Sequence, residues 1–267
     1  SYSAIAVVAG RGLVGLRDPY GIKPMVLGRR TGGAGDAVCL ASESVALDVL
    51  GFRQEREVRP GEAVFVDLSG NVHSWQVRPA DPHPCIFEWV YFARPDSTIE
   101  DVSVYKARRR FGKEMAARWV AAGAPMPDVV IPVPDSARAA AQTLAEDLGV
   151  PYREGFVKNR YVGRTFLMPG QQERRRSVRH KLNPVRLEFE GKRVLIVDDS
   201  IVRGNTSRAI VQMARAAGAT AVYFASYSAP LVHPCIYGID MSTRSEFIAR
   251  DLPTEEIRQR IGADYLL

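Results

Sequence analysis

The 267-residue sequence predicts an α/β chain, a parallel sheet with helices on its faces, preceded by a smaller β-rich unit. Beyond about residue 80, short apolar runs alternate with segments of helical periodicity, as in repeated βα units. Before it the chain reads as strands and turns. Between the two lies Arg78-Pro79-Ala80-Asp81-Pro82-His83-Pro84, which can continue neither a helix nor a central strand. Two domains, 1–79 and 80–267, are therefore expected.

In the first domain strands are expected at Ala4 to Val8, Leu13 to Leu16, Met25 to Gly28, Val38 to Ala41 and Ala63 to Asp67. Arg17-Asp18-Pro19-Tyr20-Gly21 and Leu68-Ser69-Gly70-Asn71 supply turns. In the second, Val104 to Ala121 carries a helical period, and Asp128 to Pro134 contains a short apolar strand. A helix from Ala137 to Leu148 ends at Gly149; a buried strand spans Val194 to Val197; a helix from Ser207 to Ala217 ends at Gly218; a last strand spans Ala221 to Ala225. In such sheets ligands bind at the carboxyl ends of the strands.

With 46% hydrophobic and 25% charged residues the balance is that of a globular protein. No apolar run approaches the roughly 18 to 20 residues that cross a bilayer, and the start lacks the order of a signal peptide. Cys39, Cys85 and Cys235 have no close pairing, which fits a reducing compartment. A soluble, cytoplasmic chain without membrane or nucleic-acid partner is expected. Much of the net charge of +6 lies in Arg174-Arg175-Arg176-Ser177-Val178-Arg179-His180-Lys181. That run suits a small phosphorylated ligand as well as a polynucleotide, and a solvated helix face is the commoner meaning of such clusters. The opening Ser1-Tyr2-Ser3 and the closing Tyr265-Leu266-Leu267 both read as cut from a longer chain.

The chemistry concentrates in Val194-Leu195-Ile196-Val197-Asp198-Asp199-Ser200-Ile201-Val202-Arg203-Gly204-Asn205-Thr206-Ser207. Two acids stand where an apolar strand stops. A Gly turn then opens a helix whose free N–H groups and positive dipole end suit a phosphate monoester at Gly204, Asn205, Thr206 and Ser207. The acids call for hydroxyl donors or a cation, and a ribose diol beside a Mg²⁺ supplies both. GxxxxGK[ST] and GxGxxG are absent. A ligand joining a 5-phosphate, a diol and a metal-bound polyphosphate is phosphoribosyl pyrophosphate; the plain alternative is that the acids only cap the loop and helix.

These residues resemble the phosphoribosyl pyrophosphate signature of type I phosphoribosyltransferases. The wider chain resembles the amidophosphoribosyltransferase family through Arg17-Asp18-Pro19-Tyr20-Gly21-Ile22-Lys23-Pro24, Ala41-Ser42-Glu43-Ser44, Tyr91-Phe92-Ala93-Arg94-Pro95-Asp96-Ser97, Lys158 to Phe166 and Tyr237-Gly238-Ile239-Asp240. Asn205 departs from a Thr more usual in the family. The resemblance implies a type I phosphoribosyltransferase sheet with flanking helices and a hood, preceded by an incomplete glutaminase domain of the N-terminal-nucleophile class. It implies transfer of ammonia from glutamine to C1 of phosphoribosyl pyrophosphate, the first step of purine synthesis. Purine nucleotides as feedback inhibitors and a homo-oligomer when full length are implied as well.

It further implies that Asp135 and Ser136 hold the pyrophosphate, that Ser136, Asp198 and Asp199 lie near Mg²⁺, and that Ser200 and Arg203 complete the substrate loop. Taken alone, Asp135-Ser136 reads equally as an N-cap. Lys158 to Lys181 resembles the family's mobile loop, with Lys158, Arg160, Arg179 and Lys181 offsetting charge on the leaving group. Cys85 and Cys235 stand where some members ligate a [4Fe-4S] cluster. Its other two ligands would come from a C-terminal pair that this chain lacks, so cluster ligation and plain buried cysteine both stand. Ser1 does not match the family's N-terminal Cys nucleophile, and the chain is expected not to use glutamine. A nucleobase-using phosphoribosyltransferase and a regulatory or nucleic-acid-binding protein on the same fold are the rival readings.

Overall fold

Alternating apolar positions in the first hundred residues form antiparallel sheets. The computed structural model describes residues 1–32, 35–159, 182–237 and 247–267, which divide into two units, Ser1–Ala107 and Arg108–Leu267.

In the first unit β1 (Ser3–Val8), β2 (Gly12–Arg17), β6 (Glu62–Asp67) and β7 (Val72–Gln76) form one sheet in the order β1-β2-β6-β7. The second sheet is β4 (Ala37–Ala41), β3 (Val26–Arg30) and β5 (Arg53–Glu57), with α1 (Ser44–Val49) between β4 and β5 in sequence. Val64 and Val66 of one sheet pack with Met25, Leu27, Leu40 and Val58 in a single core. Gly15 is required at that contact, since a Cβ there would lie 2.7 Å from Leu40 Cδ1. The opposite face of the four-stranded sheet carries Phe65, His73 and Trp75 in a row of stacked rings. The Pro-rich stretch is bound to this unit: the Asp81 amide donates to the Pro19 carbonyl and the His83 amide to that of Tyr20. A wide helical turn, Glu88–Phe92, buries Glu88 against Lys23 at 2.8 Å. The two-residue strands β8 (Thr98–Ile99) and β9 (Val102–Ser103) then lead to α2 (Val104–Ala121).

Among the described residues the second unit is built on four parallel strands, β10 (Val129–Pro132), β13 (Arg193–Asp198), β14 (Ala221–Ser226) and β15 (Tyr265–Leu266), adjacent in that order. Strand alternation sorts their side chains cleanly. Val129, Ile131, Val194, Ile196, Val222 and Phe224 face one core with α4 (Asn205–Ala216) and α6 (Thr254–Ile261). Val130, Leu195, Val197, Tyr223 and Ala225 face the other, with α2 and α3 (Arg138–Leu148). Alanines on α3 allow close approach, and a Cβ at Gly112 of α2 would collide with the Ala140 carbonyl. A hairpin of β11 (Phe156–Lys158) and β12 (Leu182–Pro184) stands apart from the sheet, and the short α5 (Ile248–Asp251) precedes α6. Among the described residues no helix is long and apolar enough to cross a membrane.

Strands and helices read from the sequence fall within a residue or two of those observed. Those missed are short or carry no apolar signal: α1, the fully polar β5 (Arg53-Gln54-Glu55-Arg56-Glu57), β7, the β11–β12 hairpin and the C-terminal helices. Tyr265 and Leu266 form the short strand β15, parallel to β14.

Candidate functional site

The parallel strands of the second unit deliver their functional residues to one edge. β13 is buried on both faces, so Asp198 and Asp199 arrive there 7% and 9% exposed. Asp198 Oδ1 accepts the Asp199 amide at 2.9 Å. Asp199 accepts the Ser136 hydroxyl at 2.6 Å on Oδ2 and the Ser200 hydroxyl at 2.7 Å on Oδ1. Burial holds the Asp198 carboxyl well above the usual carboxylate range, and the neighbouring Asp199 charge adds to it. Asp199 is raised too, again by burial, and drawn back by the two hydroxyls and by the charge of Arg108. Two like charges in a low-dielectric wall oppose each other's ionisation, and a cation with hydroxyl ligands relieves that opposition.

After the acids the chain turns at Gly204, which has φ +73° and ψ −11° and opens α4. That left-handed conformation is one glycine adopts at little cost. No side chain caps this helix end. The first-turn amides of Asn205, Thr206 and Ser207 have no intrahelical acceptor, and they point with the dipole toward the same edge. Asn205 and Thr206 are exposed, whereas Ser207 is buried.

The neighbouring strand supplies the second half. Val133 N donates to Val197 O at 2.8 Å, extending the β10–β13 pairing to the loop Val133 to Ala137. Asp135 and Ser136 do not cap α3: Ala137 holds the N-cap position, with no side-chain cap bond. Ser136 instead turns to Asp199, and Asp135 pairs with Lys158 of β11 at 3.0 Å and with Arg138 at 3.5 Å. Arg138 is held in turn by Glu154 at 3.3 Å, which accepts the Tyr152 hydroxyl. Thus Ser136, Asp198, Asp199 and Ser200 are brought together, and Lys158 with Asp135. Arg203 is exposed. Arg160, Arg179 and Lys181 lie outside the described residues, as does most of the Lys158 to Lys181 segment and Gly238-Ile239-Asp240.

Two residues that the sequence reading missed belong to this edge. Arg108 is 3% exposed and lowers the Asp199 carboxyl by its charge. Its signal was positional: the buried spacing Val104, Arg108, Gly112, Met115 and Trp119 sets it apart from the exposed Arg109 and Arg110. Tyr227, just past β14, donates from its hydroxyl to the Ser136 carbonyl at 3.2 Å and stacks on Phe111.

The donor set suits Mg²⁺. Asp198, Asp199 and hydroxyl oxygens are hard ligands. No group of three or more His, Cys, Asp or Glu forms a cage among the described residues. A magnesium ion that shares its shell between one or two carboxylates, water and a phosphorylated substrate needs no such cage. Iron is a different case. Cys85 and Cys235 are half-buried and lie one in each unit. The chain has three cysteines, one fewer than a four-thiolate set takes. Cys39 is half-buried in β4, its thiol pushed up by burial.

A parallel sheet that presents an acid pair, a glycine-capped helix start and a serine loop at one edge defines the phosphoribosyltransferase class. The Phosphoribosyl transferase domain family matches residues 109–229. The chain is 52% identical to an amidophosphoribosyltransferase of Pseudomonas aeruginosa and 51% identical to that of Escherichia coli, in each case over all of this chain and 54% of the relative. A solved structure of glutamine phosphoribosylpyrophosphate amidotransferase from B. subtilis, complexed with ADP and GMP, superposes with a TM-score of 0.83. That match has 47% identity over 96% of this chain and 55% of that one. Over its whole length the chain is similar to amidophosphoribosyltransferases, and it spans about half the length of the curated relatives it matches.

Proposed function

We propose that this chain carries the phosphoribosyl half of an amidophosphoribosyltransferase. The reaction joins ammonia, released from glutamine, to C1 of phosphoribosyl pyrophosphate, giving 5-phosphoribosylamine and pyrophosphate at the entry to purine synthesis. The observation that carries this reading is the meeting of Asp198, Asp199 and Ser136 beside the Gly204 to Ser207 helix start, at one edge of a parallel sheet.

In this reading the amides of Gly204 to Ser207 bind the 5-phosphate, with Ser200 and Arg203 on the same loop. Asp198 and Asp199 take the ribose hydroxyls, and the Asp135-Ser136 loop takes the pyrophosphate. Asp198, Asp199 and Ser136 would hold Mg²⁺, which when bound neutralises charge on the pyrophosphate. The C1–O bond breaks with its electron pair leaving on pyrophosphate, the ammonia lone pair forms C–N, and the surplus proton passes to solvent. Neutral ammonia needs no general base, so positioning and charge dominate. Lys158 stands 3.0 Å from Asp135, where it would offset charge on the leaving group; Arg160, Arg179 and Lys181 are assigned the same role from the sequence. Residues 1–79 are read as part of the glutaminase domain, 80–267 as the phosphoribosyltransferase domain. The B. subtilis relative's ADP and GMP support purine nucleotides as regulators of the whole enzyme, which is read as a cytoplasmic homo-oligomer.

The test is turnover of phosphoribosyl pyrophosphate by the 267-residue chain with Mg²⁺ and ammonium salts at mildly alkaline pH. Pyrophosphate release that depends on ammonia is the expected result. Release that requires a purine or pyrimidine base would replace this reading with its nearest rival.

A further inference from the structure

Tyr227 occupies a position that neither the acid pair nor the helix start explains. It follows β14 directly, so it stands at the same edge of the sheet as the acids. Its backbone belongs to their turn: Tyr227 N donates to Asp198 O at 3.4 Å, and the next amide, Ser228 N, donates to Asp199 O at 2.9 Å. Its side chain crosses to the other half of the site. The hydroxyl donates to the Ser136 carbonyl at 3.2 Å, and Ser136 in turn donates to Asp199 at 2.6 Å. The ring lies on Phe111 of α2, with centroids 5.6 Å apart and planes at 15°. One residue thus joins α2, the loop before α3 and the end of β14.

We propose that Tyr227, supported by Phe111, is a positioning residue that fixes the Ser136 loop in its pyrophosphate-binding conformation, and that it acts on the pyrophosphate half of the ligand alone. The proposal rests on the phosphoribosyl pyrophosphate reading of the site. The Ser136 loop follows β10 for only a few residues before α3 begins, and its own side chains do not cap that helix. Among the described residues this loop is held by Val133 N on Val197, the Ser136 hydroxyl on Asp199, the Asp135 pairs with Lys158 and Arg138, and the Tyr227 hydroxyl. The Asp135 pairs are more than half exposed on both partners, so solvent weakens them. The Tyr227 contact is sheltered, and a ring has few rotamers to lose in holding it.

The two halves of the ligand are therefore separable in a titration. Tyr227→Phe keeps the ring on Phe111 and removes only the hydroxyl. Calorimetry on the 267-residue chain uses inorganic pyrophosphate at saturating Mg²⁺, and separately ribose 5-phosphate. Pyrophosphate is expected to bind roughly two- to tenfold more weakly to Tyr227→Phe, the range for one net hydrogen bond, with ribose 5-phosphate binding unchanged. Phe111→Leu, which removes the stack and leaves the hydroxyl, is expected to show the same selectivity. Unchanged pyrophosphate binding in Tyr227→Phe overturns the proposal, and so does equal weakening toward both ligands, which is the mark of general loosening. Asp199→Asn in the same series separates the two levels. If the parent binds neither ligand, the reading of the site fails; if Asp199→Asn weakens binding while Tyr227→Phe does not, only the role of Tyr227 fails.

Discussion

Replacing Asp199 by Asn changes one charge in a buried pair, and its effects on stability and on binding have opposite signs. Asp199 is 9% exposed, adjoins the still more buried Asp198, and accepts two hydroxyl bonds at 2.6 and 2.7 Å. Asn keeps the shape and, with one hydroxyl turned, both bonds. Both carboxyls titrate above their ordinary range in the folded chain, through burial first. The folded state then binds more protons than the unfolded one. The pair's stabilising share is full below the unfolded value of about 3.9 and is lost as pH rises through the raised folded values. Above those values the pair is a burden, and Asp199→Asn is expected to stabilise the ligand-free second unit by on the order of 1 kcal/mol, or roughly 2–4 °C in a unit of this size. That gain shrinks toward pH 4. Under the proposed function binding moves the other way: losing a charged contact to Mg²⁺ and the ribose is expected to weaken phosphoribosyl pyrophosphate by on the order of 1–3 kcal/mol. Thermal unfolding at pH 4.5 and pH 8, with calorimetric titration at pH 8, measures both. Parent-like affinity, or a lower melting temperature at pH 8, would refute the reasoning.

Three further outcomes follow from particular contacts. Gly204→Ala puts a Cβ 2.7 Å from Ile248 Cδ1 at a φ of +73°; the Ile side chain can yield, but the left-handed backbone costs about 1–2 kcal/mol, so a fall of a few degrees in melting temperature and weaker ribose 5-phosphate binding are expected in the same sample. Lys158→Ala breaks an ion pair exposed on both sides, so its stability is expected to stay within about 0.5 kcal/mol of the parent in denaturant titration, while ammonia-dependent turnover falls tenfold or more, on the scale of an electrostatic catalytic contact. In the first unit, burial and then the Glu100 carboxylate raise Glu57 to about 7, despite Arg17 Nη1 at 3.7 Å. Its stabilising share is therefore full below the unfolded value near 4.3 and lost as pH rises through about 7. Melting curves at pH 5.5 and 8.5 are expected to differ less in Glu57→Gln than in the parent, and an unchanged difference would count against this assignment.

The parts of the site that the sequence displayed were those written into one continuous stretch. Asp198, Asp199 and Gly204 to Ser207 follow an apolar strand and open a helix, so local pattern alone set them at a strand end. Ser136 was visible for the same reason, although only the fold shows that it serves Asp199 rather than capping α3. Arg108 and Tyr227 were hidden because their roles depend on contacts across 91 residues in both cases, to Asp199 and to Ser136 respectively. Arg108 also lies in a basic run whose other members are exposed, so charge composition pointed to solvent and only helical spacing points inward. The first unit hid its short strands for a related reason. β5 has no apolar residue, and its pairing is fixed by its partner β3 rather than by its own sequence.

The pairing of β10 with β13 sets a length as well as a surface. Val133 is bonded to Val197 immediately before the acids, so the two loops proposed to bind the ligand leave neighbouring strands at the same level, roughly 4.8 Å apart. That spacing works as a ruler that neither loop can change by itself. Loop residues can be exchanged or inserted without altering the span between the two anchor points. A one-residue slip of β10 would instead turn Val130 toward the core now filled by Val129 and Ile131, and carry Ser136 away from Asp199. New chemistry at this edge is therefore most accessible through the loops, while the reach of the site from end to end belongs to the sheet.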